Sequence, residues 1–197
     1  MMVLAIIVIL SLISIPQIQR INASYKIDAS GHAVASLLAQ ARLQAVHNNA
    51  PAYTQFSTAI SPNLVFVNND GAAVYATGNP DVSLSGGVGF QNAGLPNHQQ
   101  LDSYLGVTGT PGGPNPQVGA AVGFNARGLP CVQGATPAVC LQQDGTGALP
   151  VFEWFMADAN GNWEAVTVTG AGRIKAWRLS SQGASSTTNC GYAACWQ

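Results

Sequence analysis

MMVLAIIVILSLISI, Met1 to Ile15, carries no charged side chain, and only Ser11 and Ser14 in it are polar. Pro16 follows directly. Beyond it QIQRINASYKIDASGHAVASLLAQARLQAVHNN, residues 17–49, keeps a helical pattern until NNAP, Asn48 to Pro51, stops it. One long helix is expected, apolar all round in its first third and two-faced afterwards. Ile18, Ile21, Tyr25, Val34, Leu37, Leu38, Ala41 and Ala45 recur at three- and four-residue steps and read as one apolar stripe. Pro16, which lacks an N–H, is expected to kink the rod, and Gly31 to be a second weak point. Arg42 and His47 stand near its C-terminal end, where positive charge suits the helix dipole.

An all-round apolar helix is not stable in water, because each Å² of apolar surface costs about 25 cal/mol to expose. Met1 to Ile15 would cover roughly 22 Å at about 1.5 Å per residue, short of a hydrocarbon core of about 30 Å. It has no basic residues before it and no small-x-small site after it, so a cleaved secretory signal fits poorly. Lipid, or a bundle of similar helices, is the expected environment for Val3, Leu4, Ile6, Ile7, Ile9, Leu10 and Ile13 up to Pro16.

The remaining composition is consistent with an exported surface protein. Charged residues make up 8% of the 197 positions, against about 25% in ordinary globular chains, and the net charge is −1. No bulk electrostatic pull toward nucleic acid or anionic lipid follows. The length suits one domain plus an appendage: residues 1–50 form the helix, and 51–197 form a globular β domain.

The four cysteines are Cys131, Cys140, Cys190 and Cys195. Four cysteines allow three pairings, and the local one, Cys131–Cys140 with Cys190–Cys195, is expected because near neighbours meet most easily. Neither pair has zinc-ligand spacing and neither loop holds a histidine. An even count points to an oxidising compartment.

From Ala52 the pattern changes to short strands and turns. Strands are expected at Tyr53 to Ser57, Leu64 to Val67, Ala73 to Thr77, Val82 to Leu84 and Val88 to Phe90. The NNDG of Asn68 to Gly71 reads as a hairpin turn. Asn92 to Pro116 reads as loop. Val118 to Asn125 reads as one strand, followed by the turn ARGLP. Val151 to Met156 and Trp163 to Thr169 flank DANGN, Asp158 to Asn162, a hairpin signal. Arg173 to Leu179 reads as the last strand. The fold class is α+β, a long N-terminal helix packed on a C-terminal antiparallel β domain.

No catalytic set stands out. His32, His47 and His98 accompany no serine or cysteine motif, so a nucleophile, base and orienter are not assembled. Asp158, Asn160 and Asn162 begin like a calcium loop, but the later ligands are missing, so a turn is expected. No cofactor motif is present, and an enzyme is not expected. One basic cluster remains, Arg173, Lys175 and Arg178 with Trp177. On a strand, Arg173, Lys175 and Trp177 would share one face, with Ile174 and Ala176 turned inward. Such a face suits phosphate contact and base stacking.

Four stretches carry a family resemblance. MVLAIIVILSLISIP resembles the N-terminal helix of type IV pilins and type II secretion pseudopilins. ARLQAVHNNAP resembles the helix exit of the GspH/FimT minor-pilin group. VGFNARGLP and VTVTGAGRIKAWR resemble that group's two β-domain signatures, in order and spacing. The resemblance implies a subunit of a helical filament whose N-terminal helices bundle in the core, with β domains outward. It implies insertion in the inner membrane of a bacterium, processing by a prepilin peptidase and extraction by an assembly machine. The family's cleavage site and following glutamate would lie just before Met1. DNA-uptake members carry a Gly-Arg-x-Arg motif, matched here by Gly172, Arg173, Ile174 and Lys175 with lysine in the last place. The implied function is a structural subunit of an extracellular type IV pilus-like filament, polymerising with itself or other pilins. The alternatives are a type II secretion pseudopilin and a DNA-binding minor pilin.

Overall fold

The structure is a computed structural model that describes residues 2–57, 62–69, 74–92, 95, 98–107, 116–134, 139–143, 148–179 and 196, with backbone alone for 2–16, 98 and 99. Helix α1, Met2–Asn48, runs unbroken through Pro16 and Gly31. The proline removes one rung of the hydrogen-bond ladder without ending the helix. Asn49 then turns left-handed, with φ of 49°. Ala50 N donates to Ala45 O at 3.2 Å and Asn49 N to Val46 O at 3.3 Å. That pair of bonds closes the helix end, and asparagine is one of the few side chains that tolerates the conformation.

Among the described residues two sheets follow. The first has the order β3–β2–β1–β6–β7–β8. Its strands are β1 (Ala52–Ser57), β2 (Leu64–Asn68), β3 (Asp81–Ser83), β6 (Val122–Phe124), β7 (Pro130–Gln133) and β8 (Cys140–Leu141). The second has the order β11–β10–β9–β4. It contains β4 (Val88–Gln91), β9 (Val151–Asp158), β10 (Trp163–Val168) and β11 (Ile174–Arg178). A further strand, β5 (Pro116–Val118), lies parallel to the start of β9; all other pairings are antiparallel.

Both sheets turn one face to α1. Ile27, Val34, Leu37, Leu38, Ala41 and Ala45 of the helix meet Val65, Val67 and Phe124 of the first sheet and Phe152, Trp154 and Met156 of the second. The outer face of the second sheet is covered separately. There Leu101 of α2 (His98–Leu105) packs with Phe155, Ala165, Trp177, Leu179 and Trp196.

Four readings of the sequence change. First, the strand expected at 73–77 is absent from residues 74–77. β2 pairs instead with β3, and the Tyr75 ring caps Phe66 edge-on at 5.6 Å. The turn expected at Asn68 to Gly71 falls partly outside the described residues. Second, the stretch read as loop holds α2. Leu101, Tyr104 and Leu105 have the three- and four-residue spacing of an amphipathic turn. Gly106, with φ of 75°, closes it as Val107 N donates to Asp102 O at 2.8 Å.

Third, the single strand expected from Val118 to Asn125 is two strands in different sheets, β5 and β6. Gly119 adopts φ of 65°, so the chain leaves one sheet and joins the other. Trp154 Nε1 donates to Ala120 O at 2.7 Å and holds the crossing in place. Fourth, the apolar positions of α1 are not one stripe. From Tyr25 to Val34 is nine residues, two and a half turns, so the two groups stand on opposite sides of the helix.

The Asp158–Asn162 turn forms as expected. Asp158 Oδ1 accepts from Asn160 N and Asn162 N, both at 2.9 Å, and Oδ2 accepts from Asn162 Nδ2 at 2.7 Å. Burial raises the Asp158 pKa, but these bonds outweigh it and leave it below its ordinary value. Donors already point at the carboxylate, as a turn requires and a cation site does not. Cys131 and Cys140 form a disulfide, with Cα atoms 5.3 Å apart. Cys190 and Cys195 lie outside the described residues.

Candidate functional site

The exposed face of α1 is an unusual surface. Ile18 is 64% exposed, Ile21 56%, Tyr25 68%, Leu43 71% and Val46 50%. At about 100° per residue they stand opposite Ile27, Val34, Ala41 and Ala45. Between Tyr25 and Leu43 the same face carries Ala29, His32, Ser36 and Ala39, all exposed. Asp28 stands on the same face, 3.9 Å from His32 and about five turns before Val46. The band runs about 38 Å from Ile18 to Leu43 at about 1.5 Å per residue. A helix of a soluble monomer normally places more charge and fewer large apolar side chains there.

The band points back toward the apolar run on the same helix. The side chains of Val3, Leu4, Ile6, Ile7, Ile9, Leu10, Ile13 and Pro16 lie outside the described residues. Among the described residues no helix is long and apolar enough to cross a membrane.

The basic cluster of the last strand is divided by the fold. Ile174 and Ala176 do pack on the main core. Trp177 is buried on the opposite face, where its Nε1–H donates to Thr167 Oγ1 at 2.8 Å. Tyr104 of α2 stands against it edge-on at 4.5 Å. The indole is therefore not open to a stacking base. Lys175 lies 3.4 Å above the Trp177 ring and 5.5 Å from the Tyr104 ring, a cation–π seat that ties α2 to the sheet. Arg178 faces α1 and donates to Ser24 Oγ. Arg173 stays exposed just ahead of the strand.

Arg173 gains neighbours that its place in the sequence does not suggest. The turn at Asn125–Leu129 and the turn at Thr169–Arg173 meet on α1. Asn125 Oδ1 accepts from Arg127 N at 2.8 Å and Leu129 N at 3.0 Å. Gly172, with φ of 79°, leaves room for only 3.0 Å between a Cβ and Gly128 O. Arg42 Nη1 donates to Gly172 O at 2.9 Å. Arg42, Arg127 and Arg173 thus line one groove of about 550 Å³ with Leu43, Val46 and Ile174, and no carboxylate stands in its wall. Arg42 and Arg127 are 85 residues apart in the chain, so no local pattern could join them.

A second unexpected feature lies beneath α1. Glu164 on β10 is 1% exposed, and its Oε2 has no hydrogen-bond partner. Its carboxyl fills the space above Gly31, where a Cβ would lie 2.0 Å from Oε1. Gly31 is thus the place where a side chain from the sheet meets bare helix backbone. Comparison with protein-family models, curated proteins and solved structures finds no match to this chain.

Proposed function

We propose that the chain is a structural subunit of a type IV pilus-like helical filament at the bacterial surface, assembled through α1. The observation that carries this reading is the run of exposed apolar side chains on α1, Ile18, Ile21, Tyr25, Leu43 and Val46, opposite the residues that pack on the β domain. It continues toward the apolar run at Met1 to Ile15. Packing against α1 of another copy removes both from water. Such contacts join different surfaces of successive copies, so they do not close and yield an open polymer. Membrane insertion before assembly would shelter the same rod. The Cys131–Cys140 bond suits an oxidising exterior.

The test is assembly of the full chain. Ile21→Glu and Tyr25→Glu each place a charge in the band without touching the core. Each is expected to cut the sedimentable, filament-forming fraction by at least tenfold, whereas Gln91→Glu on the exposed end of β4 leaves it unchanged. Wild-type filaments that persist in both band variants would remove the proposal.

A DNA-contacting minor pilin is a second reading, favoured by the groove of Arg42, Arg127 and Arg173. Removing Arg127 and Arg173 should weaken binding to all DNA sequences alike. The slope of log K against log salt should become shallower by about 0.9 for each phosphate that is no longer neutralised. An unchanged slope with retained binding excludes this groove.

A further inference from the structure

Glu164 sits against a stretch of the helix weakened by Ser30 and Gly31. Ser30 Oγ donates back to Lys26 O at 2.8 Å, a bond that loosens the helix ladder, and accepts from Ser85 N at 3.2 Å. Gly31 comes next, with no side chain to grip the sheet. Glu164 presses on this joint from β10, in register with Met156 of β9 and Arg178 of β11. The charged groups facing it are Asp28 from α1 and Arg178 from β11; β9 offers only Met156. His32 approaches Asp28 at 3.9 Å from the exposed side.

We propose that Glu164 is a proton-operated latch on α1. With its carboxyl neutral, the helix around Gly31 lies flat on the second sheet; without that proton the same segment loosens. A neutral carboxyl tolerates a dry site with an unpartnered oxygen, and an anion there does not. Burial and then Asp28 push the Glu164 pKa up to about 8, and Arg178 opposes the rise. Lifting the helix would let water reach the carboxylate and return it to its ordinary value of 4.5. The opening constant therefore rises up to tenfold per pH unit between about 4.5 and 8, and levels off above. The latch is tightest in acid and loosest at mildly alkaline pH.

Hydrogen exchange on the full chain in detergent micelles tests this, with intrinsic exchange rates corrected at each pH. Protection of amides at residues 24–34, relative to those of β9 and β10, is expected to fall at least a hundredfold from pH 5 to pH 8. Glu164→Gln should abolish that fall. Asp28→Asn should move the levelling-off point to lower pH, and Arg178→Gln should move it to higher pH. Opposite movements are a signature that mere loss of packing does not produce. A flat wild-type profile overturns the latch. So does an unchanged fall in Glu164→Gln, or, should that variant not fold, an unmoved levelling-off point in both neighbours.

Discussion

Glu164→Gln is expected to melt well above the wild type at pH 8 and to lose most of the dependence of melting temperature on pH between about 4.5 and 8. In the native chain the carboxyl keeps its proton up to about pH 8, while in the unfolded chain it gives it up near 4.5. Between those values the native state binds more protons than the unfolded state. Stability therefore falls as pH rises, is fully present below about 4.5, and stops falling above about 8. At about 1.4 kcal/mol per pH unit, the full loss is on the order of 5 kcal/mol. Glutamine keeps the shape of the side chain and never ionises. For a chain of this size the gain at pH 8 corresponds to a rise of roughly 10 °C. Calorimetry of both proteins at pH 5, 6.5 and 8 checks it; parallel curves would show that the carboxyl is ionised in the native state.

Trp154→Ala is expected to destabilise by about 4 kcal/mol, in the range found for emptying a buried aromatic site. Trp154 is fully buried on β9. Its ring stands edge-on to Phe56 of the first sheet and Phe90 of the second, each at 5.7 Å, while Phe56 and Phe90 stack at 4.4 Å. Truncation opens a cavity between the sheets and also strands Ala120 O, which the indole N–H serves where the chain crosses over. Trp154→Phe keeps a six-membered ring but loses the N–H bond and part of the buried volume, so it should cost less than alanine, about 2 kcal/mol. Urea midpoints at unchanged m-value measure both. A cost below about 1 kcal/mol for alanine would mean that the sheets close over the gap.

Much of the architecture was legible from local chemistry. The helix and its end at Asn48 and Asn49, the strands at Val88, Val151, Trp163 and Arg173, and the Asp158–Asn162 turn all follow from patterns within a few residues. α2 was also within reach, since Leu101, Tyr104 and Leu105 have helical spacing; glycine and proline on either side hid it. The nine-residue step between Tyr25 and Val34 was readable too, because helical geometry alone places them on opposite sides.

The sequence by itself determined that a charge-free rod and a two-faced helix precede a strand-rich domain, because periodicity and charge are properties of neighbouring residues. Only the tertiary structure decided that Val118 and Val122 belong to different sheets, that Trp177 is sealed beneath α2, and that Arg42 and Arg127 flank Arg173. The same holds for Glu164, an exposed-type residue by composition, whose burial against Gly31 arises from two segments 133 positions apart. Contacts over such separations depend on how the sheets close around the helix, and no local preference encodes that closure.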